Sequence, residues 1–125
     1  MATKCYCGSG SEFSACCEPY ILGKSLPKTA EALMRSRYSA YCIHNADYLI
    51  ATTHVSTRKS HHREDILSFA IENHWVKLEI LHSSEKKVEF KAYYLDSSLK
   101  AHVHHEKSTF QKEEGRWYYV DGEWF

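Results

Sequence analysis

No charge of one sign predominates in this sequence: Lys plus Arg number 16 and Asp plus Glu number 16 among 125 residues. That balance excludes a global field that would draw the chain to nucleic acid or to an anionic membrane, so either partner would need a local patch. No run approaches the roughly 18 apolar residues of a membrane span. Met1 to Lys4 lead into Cys5 without the apolar stretch of about 7 to 15 residues that a secretory signal needs, and a cytoplasmic protein is the expectation. Internal repeats and low-complexity tracts are missing. So are a phosphate loop, a Ser-His-Asp arrangement and a carboxylate pair at a defined spacing. An enzyme assignment would rest on fold analogy alone, and the reading leans away from catalysis.

Apolar side chains, in contrast, are plentiful. A hydrophobic fraction of 43%, with nine Tyr, five Phe and three Trp, is enough for one well-packed domain.

The cysteines are unevenly placed. Four of the five fall between Cys5 and Cys17, as Cys5-x-Cys7 followed by the adjacent pair Cys16-Cys17. In a reducing compartment such crowding favours metal ligands over disulfides or free thiols. Tetrahedral zinc takes four thiolates, and a loop carrying Gly8, Ser9, Gly10 and Ser11 can fold tightly enough to bring both pairs to one ion. With no ligand position left open, the site would be structural. Cys42, alone, reads as a small core residue.

Residues 1–26 are too short for a core of their own and read as a metal-stapled appendage, closed by Gly23 and Pro27; residues 27–125 form the main domain. The pattern predicts a helix over 28–42, with Thr29 at its entry and Ala30, Leu33, Met34, Tyr38 and Tyr41 on one apolar face. A short helix capped by Asn45 follows, then a polar segment over 52–62 and a third helix over about 63–73, offering Ile66, Phe69 and Ala70 to a core. From Trp75 the period becomes two. Strands are expected from Trp75 to about Ile80, from Val88 to Tyr94, over 101–112 and over 116–121, giving an α+β fold of helices packed on an antiparallel meander.

The string Cys5-Tyr6-Cys7-Gly8-Ser9-Gly10, then Phe13 and Cys16-Cys17, resembles the SEC-C motif named from the zinc tail of the bacterial preprotein translocase ATPase. It implies zinc and a contact surface but no chemistry. The helix Pro27–Tyr41, Thr53-His54 with Thr57-Arg58, His105-Glu106-Lys107-Ser108 with Phe110, and Trp117–Gly122 resemble the YchJ family over nearly the whole chain. Val55 and Thr109 stand where Pro and Arg are common in that family. The resemblance implies a nuclear-transport-factor-2-like cone, cystatin-like, with helices wrapped against a strongly bent antiparallel sheet, and supplies no activity.

Arg37 falls at the centre of an apolar helix face, where an unpaired charge is costly. Glu106 shares a strand face with Ser108 and Phe110, and the expectation is that Arg37 and Glu106 form a buried pair; the alternative is that Arg37 awaits an anionic ligand. His54 and Arg58 are candidates for the mouth of the cone, binding an anion there or merely capping a helix. His102 and His104 share a face opposite His105, half a metal site at most, and read as solvated polar positions. The aromatic cluster Trp117, Tyr118, Tyr119, Trp124 and Phe125 reads as sheet core and edge cover, since no basic stripe accompanies it.

Three functions follow from these readings. The leading one is a zinc-binding accessory protein that docks an unidentified protein. The second is a binder of a small anionic ligand, or an enzyme, using a cavity lined by Arg37, His54, Arg58 and Glu106. The third, nucleic-acid binding through the knuckle, has Lys4, Lys24 and Lys28 for it and the neutral balance against it.

Overall fold

A computed structural model describes residues 3–125 of the chain; Met1 and Ala2, the first residues of the expected knuckle segment, lie outside the described residues. After a 3-10 turn at Phe13–Ala15 the helices are α1 (Glu18–Ile21), α2 (Ala30–Cys42), α3 (Ala46–Ala51), α4 (Val55–Arg58) and α5 (Arg63–Glu72). The strands are β1 (His74–Ser83), β2 (Lys87–Leu95), β3 (Ala101–Glu113) and β4 (Arg116–Trp124). They form one antiparallel sheet in the order β1-β2-β3-β4. No helix among the described residues is long and apolar enough to cross a membrane.

Local chemistry sets most of these boundaries. Thr29 Oγ1 accepts the amide of Ala32 at 3.0 Å and starts α2, so that helix begins two residues later than its apolar pattern alone suggests. Asn45 Oδ1 does the same for α3 through the Tyr48 amide. The polar segment over 52–62 contains a helical turn, α4, that its composition does not announce. Its cap is an imidazole: His54 Nδ1 accepts the Ser56 amide at 3.1 Å.

The α+β expectation holds, and the register explains the bend of the sheet. Irregularities between Trp75 and Lys77, between Ile80 and His82, and between Thr109 and Phe110 interrupt the ladders, and such bulges curve a sheet. β4 runs on to Trp124, past the expected end at Asp121. Its outer edge is partly closed by residues 52–54, since Tyr119 donates to Thr52 O at 2.8 Å and His54 donates to Tyr119 O at 2.7 Å.

The core lies between α2 and the concave face of the sheet. Leu33, Leu49, Val88 and Phe110 are fully buried there, and each such side chain contributes about 1.5 to 3 kcal/mol by leaving water. Along β3 the residues on this face are Glu106, Ser108 and Phe110. Cys5, Cys7 and Cys17 belong to the same contiguous core as Leu33 and Phe110. The knuckle is thus packed into the domain; it is no loose appendage. α2 is buried nearly all round, which is why Ser36, Arg37 and Ser39 are all inside.

Two aromatic expectations need correction. Phe69 is 42% exposed at the rim of a cavity, outside the core. Of the C-terminal cluster only Trp117 is core, whereas Trp124 and Phe125 stand 73% and 69% exposed because β4 carries them beyond the helices.

Candidate functional site

Two features of the fold bring reactive groups together. The first is the knuckle. Lys4 and Glu12 pair as a bridge, Cys5 donates its amide to Ser11 O at 2.8 Å, and Gly8 and Gly10 take positive φ values of 82° and 88° that let the loop reverse tightly. The 3-10 turn then delivers Cys16 and Cys17 against this loop. All four Sγ atoms of Cys5, Cys7, Cys16 and Cys17 lie within 4.8 Å of one another, and no disulfide joins them.

The spacing fits a metal. Sγ of Cys16 is 3.7 Å from that of Cys7 and 4.0 Å from that of Cys17, close to the edge of about 3.8 Å expected for a tetrahedron with metal–sulfur bonds of about 2.3 Å. A hydrogen bond from Cys17 pushes Cys7 down to about 4 against the effect of burial, and Cys17, as the donor, is pushed up. Four thiolates this close repel one another by about 4 kcal/mol per pair at an intermediate dielectric, so a fully deprotonated set needs a cation. The surrounding groups suit that state: Ser9 Oγ lies 3.2 Å from Cys16 Sγ and Ser39 Oγ 3.6 Å from Cys5 Sγ. Arg35 fixes the loop to α2 by donating from Nη1 to Cys7 O at 2.8 Å while its Nε holds Glu31 at 3.0 Å.

The second feature is a cavity of about 510 Å³ inside the cone. Its floor is Glu106. The carboxylate accepts from Ser108 Oγ at 2.6 Å and Tyr119 Oη at 2.8 Å, both on Oε2, and from His104 Nε2 at 2.6 Å on Oε1. Burial works against the charge, but the three donors outweigh it and hold the carboxyl below its ordinary range. Gly122, across the strand pair, leaves the space that Glu106 fills.

Arg37 lines the same cavity without touching Glu106. Its Nη1 donates to Leu49 O at 2.9 Å, Thr52 Oγ1 at 2.7 Å and Thr53 Oγ1 at 3.4 Å, and its guanidinium carbon sits 4.4 Å over the ring of Tyr119. The expected Arg37–Glu106 pair is therefore not formed. Tyr119 stands between the two, its face toward the cation and its hydroxyl donating to the anion. The end of α3 supplies Arg37 with neutral acceptors in place of a carboxylate.

His54 and Arg58 are not among the residues lining this cavity. His54 caps α4, with Nε2 against Glu113 and Nδ1 2.7 Å from Ser56 Oγ, and Arg58 Nε donates to Thr53 O at 3.0 Å. Of the four pocket candidates the fold brings together only Arg37 and Glu106. His104, read from the sequence as solvated, instead lines the cavity and holds Glu106. The signal was available, because 104, 106, 108 and 110 share one strand face and Phe110 is plainly interior. The mouth of the cavity is aromatic: Trp75 packs 5.2 Å from Tyr41, 5.6 Å from Phe69 and 5.1 Å from Tyr94 between ring centroids.

Comparison with known proteins covers both the knuckle and the domain that carries the cavity. Residues 29–122 match the family described as YchJ, middle NTF2-like domain. A UPF0225 protein of Serratia proteamaculans is 42% identical, the alignment covering 98% of this chain and 84% of that one. A UPF0225 protein of Vibrio cholerae is 39% identical, over 95% and 82% respectively. Among solved structures, a SEC-C motif containing protein from Rhodopseudomonas palustris superposes with a TM-score of 0.91 at 37% identity, covering 97% of this chain and 98% of that chain. Another from Psychrobacter arcticus gives a TM-score of 0.77 at 28% identity, covering 94% and 80%.

Proposed function

The chain belongs to the YchJ family, and from that premise we propose that it is a zinc-stapled small-molecule binder, with the knuckle holding a structural metal and the cone as the working site. Cys5, Cys7, Cys16 and Cys17 would supply a closed set of four thiolates, which suits zinc and leaves no position for substrate. The metal's contribution when bound is to neutralise the thiolates and lock the loop onto α2.

The observation that carries the binding role is the cavity. It falls within the range of about 300 to 1,000 Å³ typical of small-molecule sites, and it presents a buried cation and a buried anion among aromatic walls. A filled cone would have favoured a purely docking role. Metal analysis and native mass spectrometry of protein purified under reducing conditions test both halves of the reading. About one zinc per chain and a displaceable organic adduct are expected. Zinc-free protein with all thiols free removes the first half, and failure to bind any member of a varied small-molecule library removes the second.

A second reading, a protein-docking role, draws support from the exposure of Trp124 and Phe125 at the end of β4, one against His104 and the other against His105 on the opposite face.

A further inference from the structure

The two guanidinium edges of Arg37 are used very differently. Every hydrogen bond it makes to the protein leaves from Nη1. Nε and Nη2 have no protein partner among the described residues. Because no buried side-chain polar atom there is left unsatisfied, these two nitrogens keep an opening to the cavity that Arg37 lines. The residue is only 6% exposed, so these openings are small.

Nε–H and one Nη2–H run parallel, and that edge is the one that accepts a carboxylate through two bonds at once. The nearby protein carboxylate does not take it. Glu106 is occupied by Ser108, Tyr119 and His104, and the ring of Tyr119 separates it from Arg37. A buried cation with a vacant forked edge and no contacting counterion gains from any anion that can reach it.

The remaining walls restrict which anion that is. Tyr41, Phe69, Trp75 and Tyr94 form a corner of edge-on and tilted aromatic contacts that suits a flat ring system. Glu106 stays ionised at neutral pH and stands one side chain away from Arg37, so a second negative charge on the ligand would be repelled. Asp65 also lines the cavity, so one guanidinium faces two carboxylates there, and a monoanion is accepted more readily than a phosphate dianion.

We infer that the cone binds an aromatic monocarboxylate, its carboxylate forked on Nε and Nη2 of Arg37 and its ring against Trp75 and Tyr94, with Glu106 excluding dianions. This rests on the reading of the cavity as a ligand site.

The test is isothermal titration of the full zinc-loaded chain at pH 8 with 2-naphthoate, 2-naphthamide, 2-naphthylmethylamine and 2-naphthyl phosphate, the last a dianion at that pH. Naphthoate should bind about tenfold or more tightly than the amide, and the phosphate should be the weakest. Arg37→Lys keeps the charge but loses the fork, and should reduce naphthoate binding about tenfold while leaving the amide unchanged. Glu106→Gln should raise phosphate binding, a gain that a misfolded protein cannot produce; if Arg37→Lys does not fold, this variant and the ranking in the natural protein decide. Amide or amine binding equal to or tighter than naphthoate overturns the carboxylate assignment and leaves the cavity as a ligand site. Silence of all four probes overturns the aromatic monocarboxylate assignment, and the ligand-site reading falls only if the varied library fails as well.

Discussion

Gly122, the partner of Ser108 across β3 and β4, lies diagonally beside Glu106, so close that a methyl group on the glycine would lie 2.6 Å from Cδ of the glutamate and 2.7 Å from its Cγ, and would overlap Oε2. No real Cβ tolerates such contacts. A Glu side chain at the surface would swing aside, but this one is pinned by Ser108, Tyr119 and His104. Gly122→Ala should therefore displace the carboxylate or open the strand pair, at a cost of about 1 to 3 kcal/mol, the usual range for overpacking. Chemical denaturation checks the magnitude. A stability unchanged within 0.5 kcal/mol would mean that Glu106 is free to move.

Replacing Cys16 by Ser should abolish metal retention, since three thiolates and a hydroxyl bind zinc far more weakly than four thiolates. The burial of Cys5, Cys7 and Cys17 in the main core widens the expected consequence. The sequence suggests that only residues 1–26 would loosen. The packing predicts a lower melting temperature for the whole domain, with hydrogen exchange rising in α2 as well as in the knuckle. Exchange confined to the first 26 residues would restore the simpler picture.

Tyr119 touches both Arg37 and Glu106, with its ring and its hydroxyl respectively, and links them more weakly than a direct ion pair would. Tyr119→Phe removes a hydrogen bond to a charged acceptor and should cost about 1.5 to 3 kcal/mol. A double-mutant cycle of Arg37→Met with Glu106→Gln should give an interaction energy of about 1 kcal/mol or less, since the side chains meet only through Tyr119. A coupling of several kcal/mol would show that they meet directly in solution.

Glu106 also sets part of the acid limit of stability. Its folded pKa lies below the ordinary value, so the folded state favours the ionised form. The associated stability is complete above the unfolded value of about 4.3 and disappears as pH falls through the lower folded value. Glu106→Gln should flatten the stability–pH curve in that window. Denaturation curves collected between pH 3 and 7 measure this, and an unaltered acid limb would count against an ionised Glu106.

Local signals in the sequence were legible and distant ones were not. Thr29 and Asn45 cap their helices through amides three residues away, so the information lies within one turn of chain. The four strands follow from a period of two that needs no partner to recognise. The four cysteines are gathered by a loop whose tight reversal two glycines permit. The periodicity puts Arg37 on an inward face, but its partners, the carbonyl and hydroxyls at the end of α3, depend on how α2 and α3 cross, and nothing in the periodicity encodes that angle. α4 escaped notice because its cap is a histidine, outside the usual capping residues. Gly122 did leave a sign, since an isolated glycine in a strand often marks a close approach, but the identity of the approaching group required the register of β3 and β4.

Ser39 and Arg37 are two residues apart on α2, about 200° around the helix, so one meets Cys5 of the knuckle while the other opens onto the cone. A single rigid rod is the wall of both chambers. Any shift that α2 makes when thiolates close on a metal is imposed on the guanidinium edge behind it, and closely packed interiors transmit such shifts with little loss. Thermodynamic reciprocity then applies. If metal tightens the hold of the cone on a ligand by some factor, the ligand must raise the affinity of the knuckle for metal by that same factor, so a chain saturated with ligand would resist chelators better than an empty one.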